Sequence, residues 1–232
     1  MSKKTIYFPH SFLFFAALLV LLFAVVALIF FGAVSIAFSN VGFTPLTIFL
    51  ILLATLVGSF INIPLLKLQT TIPIVHDDYV NWFGIPYRIP HIEYGTTVIV
   101  VAINVGGALI PTAVSIYLLV RSSLYLIVLS LVGVLAVTFV THLVARPVKG
   151  VGIATPAFIP PIAAAVVAFI LSPSEPRTVA YVAGTLGTLI GADLLNLRKI
   201  PKLGAPVASI GGAGTFDGVF LTGIIAVLLT RL

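Results

Sequence analysis

Two acidic residues stand in stretches otherwise suited to lipid. They are Asp193, in Gly191-Ala192-Asp193, and Asp217, in Gly214-Thr215-Phe216-Asp217-Gly218. A carboxylate at the centre of a membrane helix costs about 2.5–3.5 kcal/mol. Acidic residues at such depth face the protein interior and mark function. Two carboxyl groups held together cannot both ionise, so one acts as an acid and the other as a base. Such a pair activates water against a peptide carbonyl. Asp193 and Asp217 are therefore the candidate catalytic pair. His142, Asn62, Asn104 and Asn196 are candidate supporting hydrogen-bonding residues. The chemistry needs no cofactor and no metal.

The elements that must position these residues follow from composition. The chain has 232 residues, 60% of them hydrophobic and only 8% charged, which is the balance of a lipid-facing protein. We expect one integral membrane domain over residues 1–232, with a cytoplasmic loop at 67–93. The net charge of +6 comes from basic residues at segment ends, which orient helices and do not suggest nucleic acid. The absence of cysteine excludes disulfides, thiol catalysis and zinc-thiolate sites.

The expected fold is an all-α polytopic transmembrane bundle of about seven spans, some broken or re-entrant. Apolar runs place the spans at 12–34, 45–66, 96–120, 124–145, from 156, 178–197 and 205–232. In the second, Thr55, Ser59 and Asn62 share one helical face. In the third, Pro111 clashes with the carbonyl of Gly107 and predicts a kink. Pro160-Pro161 predicts an irregular start to the fifth. Ala180, Gly184, Gly187 and Gly191 form a small-residue stripe for close helix contact in the sixth. On a straight helix Asp193 lies roughly 160° from that stripe, on an aliphatic face. Unwinding at Gly191 would redirect it. In the loop, His76-Asp77-Asp78 reads as a solvated turn and Tyr79 to Phe83 as an interfacial aromatic patch, with a hairpin as one option.

Counting Lys and Arg by side puts nine on the N-terminal side and three on the other, so the N-terminus is expected in the cytoplasm. Asn62, Asn104, His142, Asp193 and Asp217 then cluster in the cytoplasmic half of a cell membrane, inner or plasma. The expected partners are membrane lipid and a transmembrane peptide substrate.

Paired aspartates on successive helices, with a cytoplasmic turn between, resemble the presenilin and signal peptide peptidase families. Those carry Tyr-Asp, Gly-x-Gly-Asp and Pro-Ala-Leu, where this chain has Ala192-Asp193, Gly214-Thr215-Phe216-Asp217 and Pro156-Ala157-Phe158. The resemblance implies intramembrane aspartyl proteolysis. Asn62-Ile63-Pro64, Asn104-Val105-Gly106-Gly107 and Gly214-Thr215-Phe216-Asp217-Gly218 are also similar to a prokaryotic, largely archaeal, membrane family without an assigned activity. That resemblance implies about seven helices. Three other readings of the polar cluster stand beside proteolysis. One is an ion-coupled secondary transporter. Another is a metal site from His142, Asp193 and Asp217. The third is an assembly factor that binds through the loop.

Overall fold

In the computed structural model the backbone is described for residues 10–82, 85–148, 152–203, 207–212 and 217–231. Side chains are described for the same residues except 10–11, 72–82, 85–93 and 201–203. The chain is mostly helical, with seven α-helices among the described residues: α1 (His10–Asn40), α2 (Pro45–Gly58), α3 (Ile110–Val120), α4 (Leu124–Val144), α5 (Ile159–Leu171), α6 (Pro176–Thr188) and α7 (Gly218–Leu229). It is not all-α. Strands β1 (Asn62–Trp82) and β2 (Ile85–Asn104) form a long antiparallel hairpin, and β5 (Val207–Ile210) pairs parallel to the base of β2. A short hairpin, β3 (Arg146–Val148) and β4 (Gly152–Ala154), follows α4.

The strands replace pieces of three expected spans, the seventh among them, where Val207–Ile210 is strand and the helix begins only at Gly218. The second span ends at Gly58, and Asn62 already belongs to β1. Pro64 and Pro73 lie within β1, and neither residue can continue a helical ladder. The third span begins as strand, because Thr96 to Val101 includes only β-branched residues, which crowd a helix and suit a pleated sheet. The expected loop at 67–93 is thus most of the hairpin. Its His-Asp-Asp and aromatic side chains lie outside the described residues, as do Lys149 to Val151 and Gly214 to Phe216.

Three helices are long and apolar enough to cross a membrane: Phe12–Asn40, Leu124–Val144 and Pro176–Ile200. The other four apolar helices have 10–17 residues, so seven full spans are not what the fold provides. Pro111 does not kink a helix. It follows closely on a π-turn over Val105–Leu109 in a helix that runs on to Val120, and that turn is the irregularity found there. Pro160 and Pro161 sit in the first turn of α5, which is regular.

The turns after α1, α3 and α5, and the end of α7, lie together at one end of the molecule. Phe43 stacks on Tyr117 there, and Asn40, Pro173, Arg177 and Thr230 line one recess. The sheet lies toward the opposite end. Helix α6 is the centre, with every residue from Val179 to Thr185 buried. Its small-residue stripe is the reason. A Cβ added at Gly184 would lie 3.3 Å from Ala164 on α5 and from Thr222 on α7, and one at Gly187 would lie 2.7 Å from Val137 on α4. Phe38 from α1 closes the cluster against Tyr181 and Phe220, with ring centroids at 5.8 and 6.2 Å.

Candidate acidic site

Helix α6 does not end as an α-helix. It widens into a π-turn over Leu189–Asp193 and then tightens into a 3₁₀ stretch over Leu194–Leu203. A π-turn rotates the residues after it relative to the residues before it and frees backbone carbonyls. This answers the problem of direction, since Asp193 leaves the aliphatic face. The freed carbonyls are taken from behind. Asn196 Nδ2 donates to the Gly191 carbonyl at 3.1 Å and to that of Ala192 at 2.8 Å. His142 Nδ1, from the end of α4, lies 3.2 Å from the same Gly191 oxygen. Gly191 is pressed on α4, with no room for a Cβ beside the Thr138 carbonyl.

The front of the π-turn meets Gly211-Gly212, the turn that ends β5. Both glycines hold left-handed backbone, φ +79° and +80°, which other residues adopt at a cost. The Gly211 N–H donates to Asp193 Oδ2 at 2.7 Å. Gly212 lies directly under the carboxyl group of Asp217, where any side chain at that position would collide with it. Asp217 is the N-cap residue of α7, yet its side chain does not cap the helix. It lies back on the glycine turn instead. The two carboxyl groups therefore lie at adjacent glycines of one turn, within electrostatic range of each other, and both residues are only partly buried.

The opposite face of the same turn is held by a second polar group. The Gly211 carbonyl packs on Gly107, in the π-turn before α3, so closely that neither glycine could carry a side chain. Asn104 caps that turn and is fully buried. Its Oδ1 accepts from the Gly107 N–H at 2.7 Å, while its Nδ2 donates to the Ser59 carbonyl at 2.8 Å and to Asn62 Oδ1 at 3.1 Å. Ser209 Oγ on β5 donates to the same Asn62 oxygen at 2.6 Å.

The six residues singled out from sequence thus fall into three groups. Asp193 and Asp217 share the Gly211-Gly212 turn. Asn62 and Asn104 tie α2, β1, β2 and β5 together on the far side of the glycine turn. His142 and Asn196 support the backbone behind Asp193. Sequence reasoning missed Ser209 and the role of Gly211-Gly212, and it named Ser59 for its side chain where its carbonyl is what Asn104 holds. A glycine pair two residues after Ser209 was the available signal. Among the described residues no group of three or more His, Cys, Asp or Glu could hold a metal ion.

The residues that build this site, from Asn62 to Asp217, lie inside a single family match covering residues 56–229. The chain belongs to the family described as protein of unknown function DUF1614. In this member the match runs from the last turns of α2 to the end of α7, so it takes in the hairpin, both π-turns and both acids. No curated protein and no solved structure matches the chain. The presenilin-type resemblance therefore rests on the motif residues alone.

Proposed function

We propose that this chain is an intramembrane hydrolase of the aspartyl type, with Asp193 and Asp217 as its catalytic pair. The reading is supported by both carboxyl groups lying on the one turn Gly211-Gly212, within electrostatic range of each other. In the reaction the ionised carboxylate takes a proton from water, and the water oxygen attacks a peptide carbonyl. The protonated carboxyl group donates to the carbonyl oxygen, and collapse of the tetrahedral adduct releases the amine. Strand β5 supports a peptide substrate. It is the outer strand in the order β1-β2-β5 among the described residues, and an extended segment added to its second edge would lie beside the acids. Non-helical backbone at membrane depth is tolerated where it is covered by protein or lines a wet cavity, and the glycine turn fits that condition. The basic residues favour a cytoplasmic N-terminus and a site in the cytoplasmic half of a cell membrane.

A second reading has its own support. Helices α3 and α7 are only 11 and 12 residues long, and their N-terminal ends approach the glycine turn. Half-length helices of this kind border ion sites in secondary transporters. The deciding experiment reconstitutes purified protein in liposomes with a transmembrane peptide reporter. Cleavage that is lost in both Asp193→Asn and Asp217→Asn supports the hydrolase. Cleavage that survives in both removes it. No cleavage, but proton-dependent solute uptake abolished by either variant, selects the carrier.

A further inference from the structure

Between α1 and α2 the apolar surface opens into a groove of about 790 Å³. Its deeper walls are apolar, with Phe31, Leu53 and Leu56 among them, and its polar residues, Ser35, Ser39, Asn40 and Arg231, lie toward the mouth, in the last two turns of α1 and after α7. We propose that this groove holds an anionic glycerophospholipid, with one acyl chain between the helices and the phosphate at Arg231.

Three observations select this occupant. The first is length. Along α2 the groove runs from Pro45 to Leu56, which is roughly 16 Å of helix. One leaflet of a bilayer has a hydrocarbon depth of about 15 Å, half of the usual core. The groove therefore spans one leaflet and stops near the midplane. The second is the separation of polarity along it. All its named polar side chains are at the end where α1 and α7 finish, the end that meets headgroups. A packed helix from a second copy would not need that division. The third is charge. Arg231 is exposed, and Asn40 also lines the adjoining recess of about 390 Å³, which holds Arg177 and Glu175. Two guanidinium groups against one carboxylate leave the rim positive. The Asn40 Nδ2 has no acceptor where it stands. Turning the amide toward the mouth would bring it to a phosphate oxygen, beside a guanidinium suited to the same group. The proposal is independent of the acids. Of the residues it uses, only Leu56, Glu175 and Arg177 fall within the matched span 56–229.

The test is fluorescence quenching in vesicles. Trp82 is the only tryptophan, so Trp82→Phe leaves a silent background. Leu53→Trp then reports from the groove, and Leu135→Trp reports from the exposed face of α4. Brominated dioleoyl phosphatidylglycerol should quench the Leu53→Trp reporter with about fivefold preference over brominated dioleoyl phosphatidylcholine, the factor expected for one basic side chain at an anionic headgroup. Arg231→Gln should bring the two lipids to parity. The Leu135→Trp reporter should show no preference. Equal quenching at Leu53→Trp, a preference that survives Arg231→Gln, or the same preference at Leu135→Trp would each overturn the proposal. So would protection from both lipids together with a dimer by light scattering, which would give the groove to a second copy. Should the reporter fail to fold, native mass spectrometry of the unaltered chain and Arg231→Gln reads the same contrast. Retained phosphatidylglycerol that does not fall in the variant rejects the site.

Discussion

The two π-turns, Val105–Leu109 and Leu189–Asp193, use one device for opposite ends. Each is five residues long, and each has glycine pressed against a neighbouring backbone, Gly106 and Gly107 in the first and Gly191 in the second. Each has an asparagine that occupies freed backbone groups, Asn104 in one case and Asn196 in the other. They differ in what faces the Gly211-Gly212 turn between them. The first presents the Gly107 backbone and a buried amide whose nitrogen and oxygen are both bonded. The second presents a partly exposed carboxylate that interacts with another. The lesson is that the π-turn itself is not the functional feature. It is a way to change the direction of a helix at a tight contact, and chemistry arises where the redirected residue is charged and reachable.

This contrast can be broken most strongly at the acids. Asp193→Asn should lower reporter cleavage by a factor of about 10²–10⁴, the usual contribution of a positioned acid or base. Its thermal unfolding should stay close to that of the parent, because the amide oxygen can still accept from Gly211. A variant that loses both fold and activity would place Asp193 with Asn104 as a structural residue. Next in size is Gly107→Ala. The new methyl meets the Gly211 carbonyl, and overpacking of this kind costs about 3 kcal/mol. Urea unfolding of the detergent-solubilised protein should register it, with activity falling in proportion to the folded fraction. Asn104→Ala leaves the Gly107 N–H and the Ser59 carbonyl without their partner, at about 2 kcal/mol, and the same unfolding assay reads that loss. The smallest effect belongs to Asn196→Ala. Its Oδ1 already lacks a partner, so removal of the side chain relieves one cost while losing two bonds. A loss of about 1 kcal/mol is expected, near the usual worth of a side-chain bond between membrane helices. An Asn196→Ala loss larger than that of Asn104→Ala would reverse the ranking of the two turns.

Much of this was legible in the chain. The stripe Ala180, Gly184, Gly187 and Gly191 marked the most tightly packed helix, because small residues at helical spacing admit neighbours. The two aspartates stood out for their depth. What could not be read was direction. Periodicity assumes 3.6 residues per turn, and one π-turn before Asp193 is enough to void that arithmetic. A hairpin was an option for 67–93, but its extension into the third span was missed for a different reason. Thr96 to Val101 is apolar enough to pass as a span, and hydropathy does not distinguish a buried strand from a helix. Its unbroken β-branching carried the information. The contact of Gly107 with Gly211 joins residues far apart in sequence through backbone alone, and backbone contacts leave no side-chain signature.

The hairpin of β1 and β2 has a consequence for how the acids can be reached. Its lowest rung is Asn62 opposite Asn104, and its last is Trp82 opposite Ile85. Twenty residues of strand extend roughly 65 Å, more than the full depth of a bilayer with its headgroups, about 40–45 Å. Its root is fastened to the turn that Asp193 and Asp217 share, through Asn62, Asn104 and the pairing of β2 with β5. In the hydrolase reading, a load applied at the far rungs would reach that turn through backbone hydrogen bonds alone.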